Sequence, residues 1–415
     1  MAVPRIRAAA AATVATAAAT AAVLVAACGA GENSDAVPFT PVMAGADTLR
    51  SAGSAAAAFH DVPGLTLLRE TVIDGAVEDL VSVGWIAIAD DGSVAVSQSQ
   101  DGRVRFFSAE GTDLGAVGAR GQGPGEFELM NGAGWVGDTL WIHDGRQSRI
   151  SLFGPDRTFI RTVPTPNLLA GATVGSSSVS ALALLADGRI LGRTADLHEE
   201  GTTSYVVLGA DAARWEIMGE MAHVPSVSTA FRFSTTGMSG SLAVPYAMRR
   251  RDAIAPIGNR VAYLTAAVDG EAAGTFEVMV FTTGGDTVYQ RGYPFDAVPI
   301  PAAVADSVIE AFASAPFAEQ VPGLAAMIRS DMEIPPLYGP IEDLRMERDG
   351  TLWIRLRDTG EGRPYLVLAP DGSLEGLAMF PTNASVYAAD RDAVWTVELD
   401  EFDVPSVVRY RVAGR

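Results

Sequence analysis

The residues of this 415-residue chain that could do chemistry are four histidines, one cysteine, a run of three arginines and scattered carboxylates. The histidines are His60, His143, His198 and His223, and none stands in an HxH or HExxH spacing, so a local zinc motif is absent. No Gly-x-Ser-x-Gly occurs. The nearest approach, Gly237-Met238-Ser239-Gly240, reads as a flexible loop. Arg249-Arg250-Arg251 is a basic cluster in an acidic protein, and paired guanidinium hydrogen bonds there could capture an anion. Salt bridging to neighbouring acidic loops is the competing use. Asn131, Asp252 and Glu342 fall beside predicted inner strands and could offer oxygen ligands to a divalent cation such as Ca²⁺, although scattered carboxylates on loops are commonly solvated. The single cysteine, Cys28, precedes any packed segment. It is therefore a poor thiol nucleophile, and the mature chain has no internal disulfide.

What precedes Cys28 gives it a different role. Arg5 and Arg7 form a positive n-region, and residues 8–27 are apolar and dominated by Ala. The stretch ends Val25-Ala26-Ala27-Cys28-Gly29, where small residues before the cut fit a signal-peptidase groove. A Cys directly after them resembles the bacterial lipobox, in which that Cys is acylated and becomes the new N-terminus. Residues 1–27 thus read as a lipoprotein-type signal peptide and Cys28 as the lipidation site. The expectation is export to the bacterial cell envelope with a lipid anchor, and Gly29, in place of Asp, points to the outer membrane. An uncleaved membrane anchor is the rival reading, since the stretch is just long enough to span, but Ala is a weak membrane residue. Residues 28–63 are rich in Ala, Gly, Ser and Pro without a clear period, and read as the lipidated Cys followed by a flexible tether.

The chain carries 30 basic against 50 acidic residues, a net charge of −20. Such a body repels phosphate backbones and anionic headgroups, so nucleic acid is excluded as a partner; the charge serves solubility. Every basic residue is Arg. Hydrophobic residues make up 48% of the chain, enough for a sizeable core, and the 43 glycines favour short strands with tight turns over long helices.

From about Leu65 one unit recurs: strand, Gly-Asp or Asp-Gly turn, strand, loop, strand, turn. The first copy runs Ile86-Ala87-Ile88, Asp91-Gly92, Val94-Ala95-Val96, then Val104-Arg105-Phe106-Phe107. Later copies centre on Leu140-Trp141-Ile142, Ile190-Leu191, Val261-Ala262-Tyr263-Leu264, Leu352-Trp353-Ile354 and Val394-Trp395-Thr396-Val397. Asp-Gly supplies the positive φ that a tight hairpin needs. The predicted fold is all-β: residues 64–415 as a six-bladed β-propeller of four-stranded antiparallel blades. The last copy lacks an outer strand, and Leu65–Ile73 has no partner of its own, so that segment is expected to close the ring and remove two exposed edges. Residues 301–332 break the pattern with helical periodicity, opened by Pro301 and ended by Pro335-Pro336, and read as a helical insertion that caps packing or lids a channel mouth.

Gly118-Ala119-Arg120-Gly121-Gln122-Gly123-Pro124-Gly125-Glu126-Phe127, followed by Trp141-Ile142-His143-Asp144 and Arg149-Ile150-Ser151-Leu152-Phe153, resembles the NHL-type repeat. It is closer still to the bacterial six-bladed β-propeller lipoproteins that share the Gly-Gln-Gly-Pro-Gly-Glu-Phe loop. The strong likeness covers roughly 50 residues, and most members of that group have no assigned activity. Physically the loop looks structural: Gly121, Gly123 and Gly125 permit tight bends, Pro124 stiffens them, Phe127 fits between blades, Asp144 bonds backbone amides, and Arg149 follows it as in the repeat. Some NHL-type propellers are lyases using a metal and His, and propeller lactonases hold a divalent cation with carboxylates and Asn; the His set of the former is not displayed here. The leading expectation is a membrane-tethered extracytoplasmic binding module with a monomeric body, meeting a protein, peptide or glycan. The alternatives are a cation-dependent propeller hydrolase or lyase, and a scaffold or sensory module of an envelope complex.

Overall fold

The computed structural model describes residues 47–48, 62–166, 179–195, 197, 202–211, 214–225, 230–235, 238–247, 251–268, 273–296, 298–358 and 362–413. Residues 1–27, read as a signal peptide, and Cys28, His60, His198, Arg249 and Arg250 lie outside the described residues. The described residues divide into two units, a large one holding all the blades and a small one containing residues 230–235, 238–245 and 302–334.

The large unit is a ring of six four-stranded antiparallel blades, the fourth extended by a two-residue strand, Asp47–Thr48, which pairs parallel with Thr287–Asp296 and so interrupts the stretch read as a tether. Their inner strands are Val83–Ile88, Met130–Val136, Ser180–Leu184, Arg251–Ile254, Ile341–Met346 and Ala384–Asp390. The second strand of each blade lies between two neighbouring blades and is buried on both faces. This is why those segments are apolar runs and not alternations: Val94, Ala95 and Val96, or Leu352, Trp353 and Ile354, are all fully buried. Left-handed residues turn five of the inner hairpins, namely Gly92, Gly137, Gly188, Gly258 and Gly350; in the sixth blade the position is taken by Arg391 at φ 57°. Five inner strands carry a register shift against their neighbours, between Val83 and Ile86, Met130 and Gly132, Ala181 and Ala183, Ile341 and Asp343, and Val386 and Ala388. A bulge of this kind twists the strand and re-aims its side chains, here along the wall of the ring.

Closure is by the N-terminal strand. Thr66–Ile73 pairs antiparallel with Pro405–Ala413 as the outermost strand of the sixth blade. Ile73 is buried with Trp395 and Val407, and Glu70 pairs with Arg409 at 2.7 Å and Arg411 at 2.6 Å.

The small unit contains a hairpin, Ala230–Thr235 with Met238–Ala243, and three helices, Ala302–Ala313, Pro316–Gln320 and Leu324–Asp331. The helices occupy the segment with helical period. The hairpin corrects the reading of Met238-Ser239-Gly240 as a loop, Gly237 lying outside the described residues: Phe231, Phe233 and Leu242 are buried, and their alternation drives strand pairing. Arg329 grips Glu310 at 2.8 Å across the first and third helices, which holds the Glu310 carboxyl down at about 2.

Candidate functional site

The Gly-rich loop is built around one carboxylate. Asp144, fully buried at the end of Thr139–Asp144, accepts from the backbone N–H of Glu128 (2.7 Å), Leu129 (3.3 Å), Arg146 (3.0 Å) and Gln147 (3.0 Å), and from the Gln147 amide (2.8 Å). Arg149 donates to the carbonyls of Gln122, Gly123 and Glu126, and the Gln147 amide to those of Gly121 and Glu126, so the Gly121–Phe127 segment is held by two side chains of the following turn. Glu126 accepts from the Gly123 N–H at 2.7 Å across the Pro124-Gly125 bend, where Gly125 has φ 74°. Phe127, 1% exposed, meets Phe153 at 6.1 Å and joins the core between the first two blades. Apart from Arg149 Nε, which is buried without a partner among the described residues, these groups are spent on packing, on the backbone or on one another.

The inner strands enclose a central pit of about 340 Å³. Much of its wall is Ala and Gly, as at Ala87, Gly132, Ala133, Ala253, Ala388 and Ala389, and these small residues leave the axis open. Asn131 and Asp252 line it near the end where the inner strands begin, and Arg345 and Tyr387 line it further along. Asp252 is gripped by Arg193 of the preceding blade, whose Nη1 lies 2.6 and 2.7 Å from the two carboxylate oxygens. Arg345 donates to Asp343 at 2.8 Å. Burial pushes the Tyr387 phenol up, with Arg345 opposing, so it stands as a neutral donor at neutral pH. At the far end Arg348, on the hairpin turn of the fifth blade, reaches Asp390 at 3.0 Å, the carbonyl of Ile88 at 2.7 Å, and the Asp90 carboxylate. One guanidinium thus ties the ends of three consecutive inner strands.

Of the three oxygen ligands considered for a cation, Asn131 and Asp252 share the pit. Glu342 is exposed on Ile341–Met346 and does not line it. The pit does not fit a divalent ion. Its carboxylates Asp252 and Asp390 are each answered by a guanidinium, and among the described residues no three His, Cys, Asp or Glu side chains converge. His143 is buried, which pushes its imidazole down and keeps it neutral. Arg251 begins the inner strand of the fourth blade and is half-buried. Reading the sequence missed Arg345, Arg348, Tyr387 and Asp390. Arg348 and Asp390 look like solvated turn residues, and the direction of Arg345 and Tyr387 depends on bulges that leave no mark in a single sequence.

Removing the Arg348 tie should be costly. Arg348→Ala leaves Asp390, whose side chain is only 11% exposed, without its partner, and about 2–4 kcal/mol of folding stability should be lost in urea denaturation. Arg348→Lys should recover only part, since an ammonium cannot span two carboxylates and a carbonyl. A loss within about 0.5 kcal/mol, the ordinary surface value, would show that the contact is idle.

No family model matches the chain, and no curated protein matches it. Solved structures of similar shape include a member of the DUF4221 family from Bacteroides vulgatus (10% identity, TM-score 0.45, covering 85% of this chain and 96% of that one). A Bacteroides fragilis protein inferred to be exported is similar at 13% identity and TM-score 0.44, with coverage of 88% and 98%. A virginiamycin B lyase from Staphylococcus aureus follows at 11% identity and TM-score 0.39, with coverage of 84% and 98%. No helix among the described residues is long and apolar enough to cross a membrane. The architecture these comparisons accompany is the one the strand order establishes: a six-bladed β-propeller closed by its N-terminal strand.

Proposed function

We propose that this chain is an exported, lipid-tethered β-propeller that works as a binding module, with its ligand seated in the central pit. The observation that carries the binding role is the pit itself. Its wall, in which Ala and Gly alternate with larger apolar residues such as Ile86, Trp135 and Leu344, encloses about 340 Å³, and Asn131, Arg345 and Tyr387 offer a few hydrogen-bonding groups at its sides. The carboxylates that a metal-dependent hydrolase would need are tied to Arg193 and Arg348.

Gly132 provides the test. It lines the pit, and a Cβ added there would meet nothing within 4 Å. Gly132→Leu should therefore fold with a Tm within about 2 °C of the parent, in the range of an unstrained substitution, while filling the space. Native mass spectrometry of the protein purified from its own host should show a bound small molecule or peptide that the variant lacks. An adduct carried equally by both would place the ligand elsewhere.

Attachment rests on Cys28 and the apolar, small-residue stretch before it. Cys28→Ala, or treatment with the signal-peptidase inhibitor globomycin, should leave unprocessed precursor. A Cys28→Ala protein that matured and fractionated like the parent would end the lipoprotein reading.

A further inference from the structure

A second cavity, of about 310 Å³, opens beside the pit on the sixth blade, at the end of the ring where the inner strands begin. Three stretches shape it: the connection through Thr382 and Asn383, the inner-strand residues Ser385 and Tyr387, and the hairpin turn 399–403. We infer that this cavity is a binding site for a neutral saccharide, a pyranose ring held between the Tyr387 ring and the polar turn. The inference goes beyond the pit, with which the cavity shares only Tyr387.

The argument lies in the unused hydrogen-bonding capacity of the lining. Arg363 spends Nε on Asp358 and Nη1 on the Ala384 carbonyl and Ser385 Oγ, which leaves Nη2 without a partner among the described residues. Ser385 therefore keeps its own hydroxyl hydrogen to donate, and the Thr382 and Tyr387 hydroxyls make no hydrogen bond among the described residues. On the accepting side, Asn383 donates its amide to the Leu399 carbonyl at 2.8 Å, and its Oδ1 takes no hydrogen bond among the described residues. Asp400 takes the N–H of Phe402 and Val404 on Oδ1, and among the described residues neither Asp400 Oδ2 nor the Asp403 carboxylate has a hydrogen-bond partner, the Asp403 N–H alone donating to the Asp400 carbonyl.

Donors and acceptors thus share one small cavity. A sugar hydroxyl is at once donor and acceptor, so a ring of hydroxyls can engage both sets. An anion would use the donors and face Asp400 and Asp403; a cation would use the acceptors and face Arg363. Val397, Leu399 and the Tyr387 ring provide an apolar side for the C–H face of the ring. Phe402, 78% exposed, lies on the same turn between the lining residues Asp400 and Asp403. The volume is at the small end of ligand pockets, suited to one or two rings.

Saturation-transfer NMR on the mature protein tests this, with the methyl glycosides of glucose, galactose, mannose and N-acetylglucosamine as probes, and arginine amide and inorganic phosphate as charged controls. At least one glycoside should bind. Asp403→Ala and Thr382→Ala, both exposed and outside the core, should together weaken it about tenfold or more, the loss of one or two hydrogen bonds. Gly132→Leu should leave it unchanged. The inference is overturned if no glycoside binds the folded protein, if binding survives Asp403→Ala with Thr382→Ala, or if only a charged control binds. It is also overturned if Gly132→Leu removes sugar binding, since the sugar would then occupy the central pit. The pit reading is decided separately, by the native ligand's response to Gly132→Leu.

Discussion

Replacing Asp144 by alanine should cost about 3–5 kcal/mol of folding free energy, because the partly buried N–H groups of Glu128, Leu129, Arg146 and Gln147 lose one fully buried acceptor at once. For a propeller of some 350 residues that corresponds to a fall in Tm of about 5 °C. Asp144→Asn keeps one acceptor oxygen and the shape. It should lose less, yet more than a surface change, since Oδ1 and Oδ2 both accept and an amide nitrogen in either place would face a donor. The structural reason for the size of the effect is reach. The carboxylate holds Glu128 and Leu129, which leave the Gly-rich loop, and Arg146 and Gln147, which turn the second blade, so the loop between the first two blades should loosen with it. Hydrogen exchange at residues 119–130 would report this directly. If Asp144→Ala unfolded within about 1 kcal/mol of the parent, the loop would be held by its own glycines and by Phe127 and not by the buried carboxylate.

Deleting residues 62–73 should have the largest effect of all. The sixth blade would lose its outermost strand, Ile73 would leave the cluster around Trp395 and Val407, and Glu70 would leave Arg409 and Arg411. The ion pairs are partly exposed and contribute little, about 0.5 kcal/mol each. The paired strand and the apolar face are worth more, about 5–10 kcal/mol, which is comparable to the whole stability of an ordinary domain. The freed edge of Pro405–Ala413 would then be a template for pairing with another chain. The expected outcome is loss of a cooperative unfolding transition, with oligomers in size-exclusion chromatography, and partial rescue by a synthetic peptide of residues 64–75 added in trans. A monomeric truncation that unfolds cooperatively with an unchanged midpoint would show that the ring is closed by blade packing alone.

The strand of residues 66–73 also shows what a single sequence can reveal. It was legible because Leu65–Ile73 is a strand with no hairpin partner while the last repeat is one strand short, so the two deficits match. The second strands were legible for a related reason: burial on both faces writes itself as uninterrupted runs such as Leu140-Trp141-Ile142. The hairpin of Ala230–Thr235 and Met238–Ala243 was not, because glycines at 237 and 240 look like a loop whether or not flanking residues pair. The pit was hardest to see. Asn131 and Asp252 fall on it, but the Arg193 partner that occupies Asp252 comes from a strand 59 residues away, and the Arg348 tie to Asp90 spans 258. Pairings across blades depend on the turn of the ring, and no local pattern encodes them. Glu342 shows the converse: one residue beyond Ile341, where the pairing register shifts, it stays on the solvent side while Arg345 lines the pit.

The view of the pit as a ligand site, and not a metal centre, meets its most direct test in the metal content of the mature protein. It should be purified without chelator, analysed by plasma mass spectrometry and then titrated calorimetrically with Ca²⁺. With Asp252 held by Arg193 and Asp390 by Arg348, the expected result is well under about 0.1 equivalents of any divalent ion and no heat of Ca²⁺ binding up to about 1 mM, the weak end of protein calcium sites. A stoichiometric ion that Asp252→Ala removes would contradict it.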